Sequence, residues 1–235
     1  MNGTSDFVAQ VQQASKIYQT GDTIITALEP SDLDVRAGEL LLIVGPSGSG
    51  KTTLLSLLGC VIYPTQGRVV VGGQDISKLN ETQLAELRLR HIGFVFQSFN
   101  LIQPLTAEDN VLLPLRLQKV PAAEAKERAS RALAAVGMSD RRGQLPKQLS
   151  GGQQQRVAIA RALVTEPSLI LCDEPTAALD AKSAEIVMHE LKNLASQGKA
   201  LAVVTHDMRL RSFADRIVYV DQGRVLSGPP ADERP

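Results

Sequence analysis

The stretch LLLIVGPSGSGKT, residues 40–52, constrains the fold of this chain more than any other. Leu40 to Val44 is an unbroken apolar run, the pattern of a strand covered on both faces in a parallel sheet. It ends on Gly45, and GPSGSGKT at 45–52 keeps the spacing GxxxxGK[ST] between a strand and a helix expected from Gly50 to Leu58. Gly45, Gly48 and Gly50 let the backbone curl until its N–H groups converge on an anion, and the helix start adds partial positive charge. Pro46, Ser47 and Ser49 complete the turn, and Thr53 follows it. Lys51 stands where it reaches the terminal phosphates of a nucleotide, and Thr52 where its hydroxyl meets Mg²⁺.

A second stretch, LILCDEPTAALD at 169–180, runs an apolar strand directly into two carboxylates, Asp173 and Glu174. Charges kept from water need a partner or a metal. Beside a phosphate-binding turn, Asp173 takes the position of the second metal-supporting group, through water to Mg²⁺. Side chains alternate along a strand, so Glu174 is free to face the space beyond the γ-phosphate and polarise water. The other apolar strands end in the same way, Phe96 on Gln97 and Thr205 on His206. Ligands of open α/β sheets bind beyond the carboxyl ends of the strands, so four strands deliver polar groups to one edge.

LSGGQQQR at 149–156 is another glycine-bearing turn entering a helix. Ser150 and the backbone N–H groups of Gly151 and Gly152 form a second anion-binding end, with Gln153 next. Two phosphate-binding turns for one nucleotide require either a fold that bends around it or two chains that meet head to tail.

Around these motifs the pattern is α/β. Residues 7–38 alternate in short runs turned at Gly21 and Gly38 and read, with 66–73, as antiparallel strands. Strands are expected at 93–97, 168–172 and 200–204, helices at 153–164 and 183–195, and a hairpin at 217–226 around Gln222-Gly223. The alanine- and leucine-rich stretch 104–148, where Pro121 opens and Gly137 closes one helix, reads as a helical insert. Residues 228–235 read as a loose tail.

Composition narrows the function. Twenty-five basic residues balance twenty-five acidic ones, so no basic field exists to hold nucleic acid. Cys60 and Cys172 lie in apolar surroundings and read as small hydrophobes, not as a disulfide or metal pair. The opening residues MNGTSDFVAQVQQ lack a signal-peptide pattern, and no eighteen-residue apolar run exists to insert into a membrane.

With these motifs in order, the chain resembles the ATP-binding-cassette (ABC) ATPase family over about residues 7–227. The resemblance rests on GPSGSGKTT at 45–53, Gln97, LSGGQ at 149–153, LILCDEP at 169–175, the AALD turn at 177–180 and His206. It implies a single domain: a P-loop NTPase parallel-sheet core (39–65, 92–97 and 155–226), an antiparallel β subdomain (7–38 and 66–73), and a helical insert at about 98–154. It implies a homodimer holding two ATP molecules with Mg²⁺ between one chain's phosphate-binding turn and the other's LSGGQ. By the same resemblance Tyr18 stacks on adenine, Gln97 touches Mg²⁺ and senses a partner, His206 contacts the γ-phosphate, and Asp180 crosses the dimer contact. The segment 73–115 is similar to ATPase subunits of lipoprotein-release, macrolide-efflux and cyanobacterial glycolipid-export systems. Cys172 departs from the alanine more usual there. The implied partner is a transmembrane permease at the cytoplasmic face of the inner (plasma) membrane. The alternatives are an importer ATPase, a soluble ABC ATPase, or a nucleotide-gated scaffold.

Overall fold

The computed structural model describes residues 7–228. The tail reading for 228–235 falls almost wholly outside them. Two long strands open the chain, β1 (Phe7–Thr20) and β2 (Thr23–Arg36), joined at a tight turn where Gly21 has φ 60. With β4 (Gln66–Val71) and the short β5 (Gln74–Asp75) they form an antiparallel sheet in the order β2-β1-β4-β5.

The second sheet is built on β3 (Leu40–Val44), every residue of which is buried. Its neighbours are β8 (Ala200–Thr205) on one side and β9 (Arg216–Asp221) on the other, both parallel to it. Beyond β8 come β7 (Leu169–Asp173) and β6 (Ile92–Phe96), again parallel; β10 (Arg224–Leu226) turns back antiparallel at the outer edge. The β9–β10 turn falls at Gln222-Gly223, as expected, with φ positive at both residues.

Alternation along β3 splits the core in two. Leu40, Leu42 and Val44 face one apolar cluster with the helices α5 (Gly151–Leu163) and α6 (Ala181–Ser196). Leu41 and Ile43 face the other, with α1 (Lys51–Leu58) and the antiparallel sheet. Each such side chain contributes about 1.5–3 kcal/mol by leaving water. This two-sided burial holds the strand ends that carry the polar groups.

The stretch 104–148 does contain helices: α3 (Ala107–Leu117), capped by Thr106, and α4 (Ala122–Ala135), which starts after Pro121 and ends before Gly137 at φ 67. A helix absent from the sequence reading, α2 (Glu81–His91), precedes β6. Its apolar stripe is thin, with only Leu84 and Leu87 buried, yet Asn80 and Gln83 form a reciprocal capping box that marks its start. Both cysteines are free and buried, and burial pushes the Cys60 thiol up to about 12. No helix among the described residues is long and apolar enough to cross a membrane.

Candidate functional site

The carboxyl ends of β3, β6, β7 and β8 open into one cleft of about 450 Å³, lined by Ser47, Gly48, Lys51, Thr52, Gln97, Asp173, Glu174, Val204 and His206. The four strand ends singled out by sequence do converge.

The turn after β3 depends on its glycines in a way space alone decides. A Cβ on Gly45 would lie 2.0 Å from the Val220 carbonyl oxygen, and one on Gly50, at φ 109, would lie 2.5 Å from that of Ala27. The turn is therefore clamped between β9 and β2. Lys51 is buried and curls over its own loop, its Nζ donating to the Gly45 oxygen at 2.9 Å and the Pro46 oxygen at 2.7 Å. An ammonium has three donors, so one stays free for a further acceptor. Burial lowers the lysine pKa, opposed by the nearby Glu174 and Asp173 carboxylates.

Asp173 closes β7, half-buried; desolvation and the neighbouring Glu174 raise its pKa, while Lys51 lowers it. Glu174 does not simply continue the strand's alternation. Its backbone turns left-handed, at φ 47, and its N–H donates to the Val204 oxygen at 3.0 Å. That turn, not strand alternation, separates the two carboxylates. The Glu174 side chain is then held at both oxygens. His206 Nδ1 lies 2.7 Å from Oε1, and the Thr205 hydroxyl donates to Oε2 at 3.2 Å. A carboxylate only accepts, so Nδ1 carries the proton in this pair. Thr205 is fully buried and also accepts the Asp207 N–H at 3.0 Å. Sequence reading treated it only as the residue before His206; its signal was a hydroxyl at the last position of an otherwise apolar strand.

The remaining residues lie outside this cleft. Ser150 caps α5: its hydroxyl accepts the Gln153 N–H at 3.3 Å, and Gln153 Oε1 accepts the Ser150 N–H at 2.9 Å. Gly151 and Gly152 pack close to Ala178, Leu179 and Ser183, where a Cβ on Gly152 would meet the Ser183 hydroxyl at 2.9 Å. Asp180 caps α6 through the Ser183 N–H at 2.9 Å, and these hydrogen bonds lower its pKa. The LSGGQ turn and the AALD turn thus form one surface. Tyr18 stands on β1, exposed, with Lys16 Nζ 5.1 Å from its ring centre. Gln155, not singled out by sequence, is fully buried and donates from Nε2 to the Pro175 oxygen at 2.7 Å, tying α5 to the turn that carries Glu174.

Two carboxylates face one ammonium across the cleft, and Thr52, Gln97 and Asp173 offer oxygen ligands, the donor set a hard divalent cation takes. The residues present fit Mg²⁺.

This fold and cleft define a P-loop nucleotide-binding ATPase. A family model described as ABC transporter matches residues 28–177. The chain is 47% identical over 218 residues to an uncharacterized ABC transporter ATP-binding protein of Thermotoga maritima, covering 93% of each. It is 46% identical over 218 residues to the macrolide export ATP-binding/permease protein MacB of Brucella melitensis, covering 93% of this chain and 34% of that one. The chain therefore spans about a third of the length of such MacB relatives. Among solved structures it is similar to a dimeric post-hydrolysis state of the ATP-binding cassette MJ0796 bound to ADP and Pi, with TM-score 0.85 at 43% identity over 92% of this chain and 96% of that one. The chain belongs to the ABC transporter family and is an ATP-binding cassette ATPase.

Proposed function

We propose that this chain hydrolyses ATP as a dimer to drive a transmembrane permease of the export or mechanotransmission type, at the cytoplasmic face of the membrane. The observation that carries the reading is the convergence of Lys51, Gln97, Asp173, Glu174 and His206 in one cleft, with the LSGGQ turn on a separate surface. A second chain, facing the first head to tail, then brings its Ser150, Gly151, Gly152 and Gln153 to the phosphates, beside its Asp180.

In this arrangement the backbone from Gly45 to Gly50, with Thr53, cradles the phosphates, and the free donor of Lys51 meets the terminal ones. Thr52, Asp173 and Gln97 would hold Mg²⁺, which when bound would neutralise charge on the phosphates. Glu174 orients the attacking water as general base, and His206 keeps its carboxylate aimed while facing the γ-phosphate. Tyr18 supplies a flat ring for adenine.

The permease reading draws on a groove of about 630 Å³ lined largely by apolar groups, among them Leu89, Phe94, Phe96, Leu113 and Leu117. Leu117 is 70% exposed there, as expected of a surface that receives a partner segment. Export rather than import is supported by the MacB relatives, whose names join ATP binding, permease and macrolide export.

The test is phosphate release by the purified chain with Mg²⁺ and ATP, beside Lys51→Ala. Turnover should be measurable in the parent chain, and the variant should lose at least tenfold in affinity for a fluorescent ATP analogue. Equal affinity in both would refute the site.

A further inference from the structure

Phe99 and Asn100 follow Gln97 by two and three residues, and both have left-handed backbone, at φ 59 and 49. Neither is glycine; asparagine tolerates this region more readily, but for Phe99 it costs roughly 1–3 kcal/mol, so the surrounding structure must impose it. Local bonds close part of the turn: Phe99 N donates to the Phe96 oxygen at 3.1 Å and Asn100 N to the Ser98 oxygen at 2.6 Å. The rest comes from 62 residues away in the chain. Arg161 on α5 donates from Nη2 to the Phe99 oxygen at 2.8 Å and from Nη1 to the Asn100 oxygen.

This arginine is unusually placed. Burial lowers its pKa, and no carboxylate among the described residues offsets that. A cation partly withdrawn from water is costly unless compensated, and here two backbone carbonyls supply the compensation. The planar fork of a guanidinium suits two successive carbonyls; an ammonium does not span them in the same way. The turn also lies against the start of α5, since a Cβ on Gly151 would meet the Phe99 ring at 3.7 Å. Phe96, Asn100 and Arg161 line the apolar groove, while Gln97 lines the nucleotide cleft. The clasp therefore sits between the two.

We infer that Arg161 is a positioning residue, whose two donors lock the Phe99–Asn100 turn in its left-handed form and so fix how far Gln97 reaches into the cleft. The inference deepens the proposed function and rests on its reading of Gln97 as a group that touches the metal–nucleotide complex.

The experiment measures kcat for phosphate release and equilibrium affinity for a fluorescent ATP analogue in five variants of the whole chain: Arg161→Met, Arg161→Lys, Asn100→Gly, the Arg161→Met/Asn100→Gly double variant and Gln97→Ala. Arg161→Met should lower kcat about tenfold while affinity stays within twofold, because the turn after β3 is untouched. Arg161→Lys, keeping one of the two bonds, should fall between. Glycine adopts positive φ without steric cost. Asn100→Gly in the Arg161→Met background should therefore recover part of the lost kcat, a non-additive result that loose helix packing would not produce. Should Arg161→Met fail to fold, Arg161→Lys carries the same split at a loss of a few fold. Wild-type kcat in Arg161→Met, or strict additivity with Asn100→Gly, would overturn the inference. Gln97→Ala, run in parallel, separates the two ideas. If it leaves kcat unchanged, the reading of Gln97 falls; if it lowers kcat while Arg161→Met does not, only the positioning role falls.

Discussion

Replacing Glu174 with glutamine tests the core of the mechanism with little change of shape. The backbone of residue 174 is held by its N–H to the Val204 oxygen, and a glutamine keeps that bond and the φ of 47. The amide also fits the side-chain surroundings. Its oxygen can still accept from the Thr205 hydroxyl or from His206 Nδ1, which occupy the two carboxylate oxygens at 3.2 and 2.7 Å. What is lost is the negative charge and the ability to take a proton from water. General-base assistance is worth about 10²–10⁴ in rate, or roughly 3–5 kcal/mol of barrier. Nucleotide affinity should hold or rise. Glu174 is one of the two causes that raise the Asp173 pKa, and its neutralisation relieves that repulsion. The expected result is phosphate release at least a hundredfold below the parent at saturating ATP. With ATP, sizing should show a doubled mass, and the melting temperature should stay within about 3 °C. Turnover within threefold of the parent would refute the role of Glu174. A monomer with ATP bound would refute the two-chain site.

Two further outcomes follow from other parts of the fold. Gly45→Ala should destabilise the chain by about 1–3 kcal/mol and depress nucleotide affinity, since its Cβ would stand 2.0 Å from the backbone oxygen of Val220; thermal melting and analogue titration check both, and an unchanged melting temperature would contradict the clash. Glu190 on α6 has a buried, unpartnered Oε2, and burial raises its carboxyl to about 7, against a lowering by Arg156. Because its folded pKa lies above the unfolded one, the folded chain binds the extra proton, and stability falls as pH rises from about 4.5 to 7. After screening by solvent the loss is about 1–2 kcal/mol. Glu190→Gln should therefore melt a few degrees higher than the parent at pH 8 and equally at pH 5, as calorimetry at the two pH values would show.

Much of the nucleotide cleft was legible in the sequence because its chemistry demands contiguous residues. A backbone that curls around phosphate needs glycines at set spacing before a lysine, and a strand that ends in a carboxylate announces itself by an apolar run. The helix at Glu81–His91 was missed because only two of its leucines are buried, so periodicity is weak and the capping box at Asn80 and Gln83 is the stronger mark. The left-handed turn at Glu174 was missed for a different reason: alternation along a strand is local, whereas that turn is imposed by a bond to the neighbouring strand β8.

By itself, then, the sequence determined the turns, the strand ends and the residue types that meet a nucleotide, since these follow from local backbone geometry. Only the tertiary structure decided which of them face one another. The order β3-β8-β7-β6 sets Thr205 beside Glu174, 31 positions away, and α5 brings Arg161 to the turn beyond Gln97. Sheet order and helix packing minimise exposed apolar area over the whole chain, and no short window of residues contains that balance.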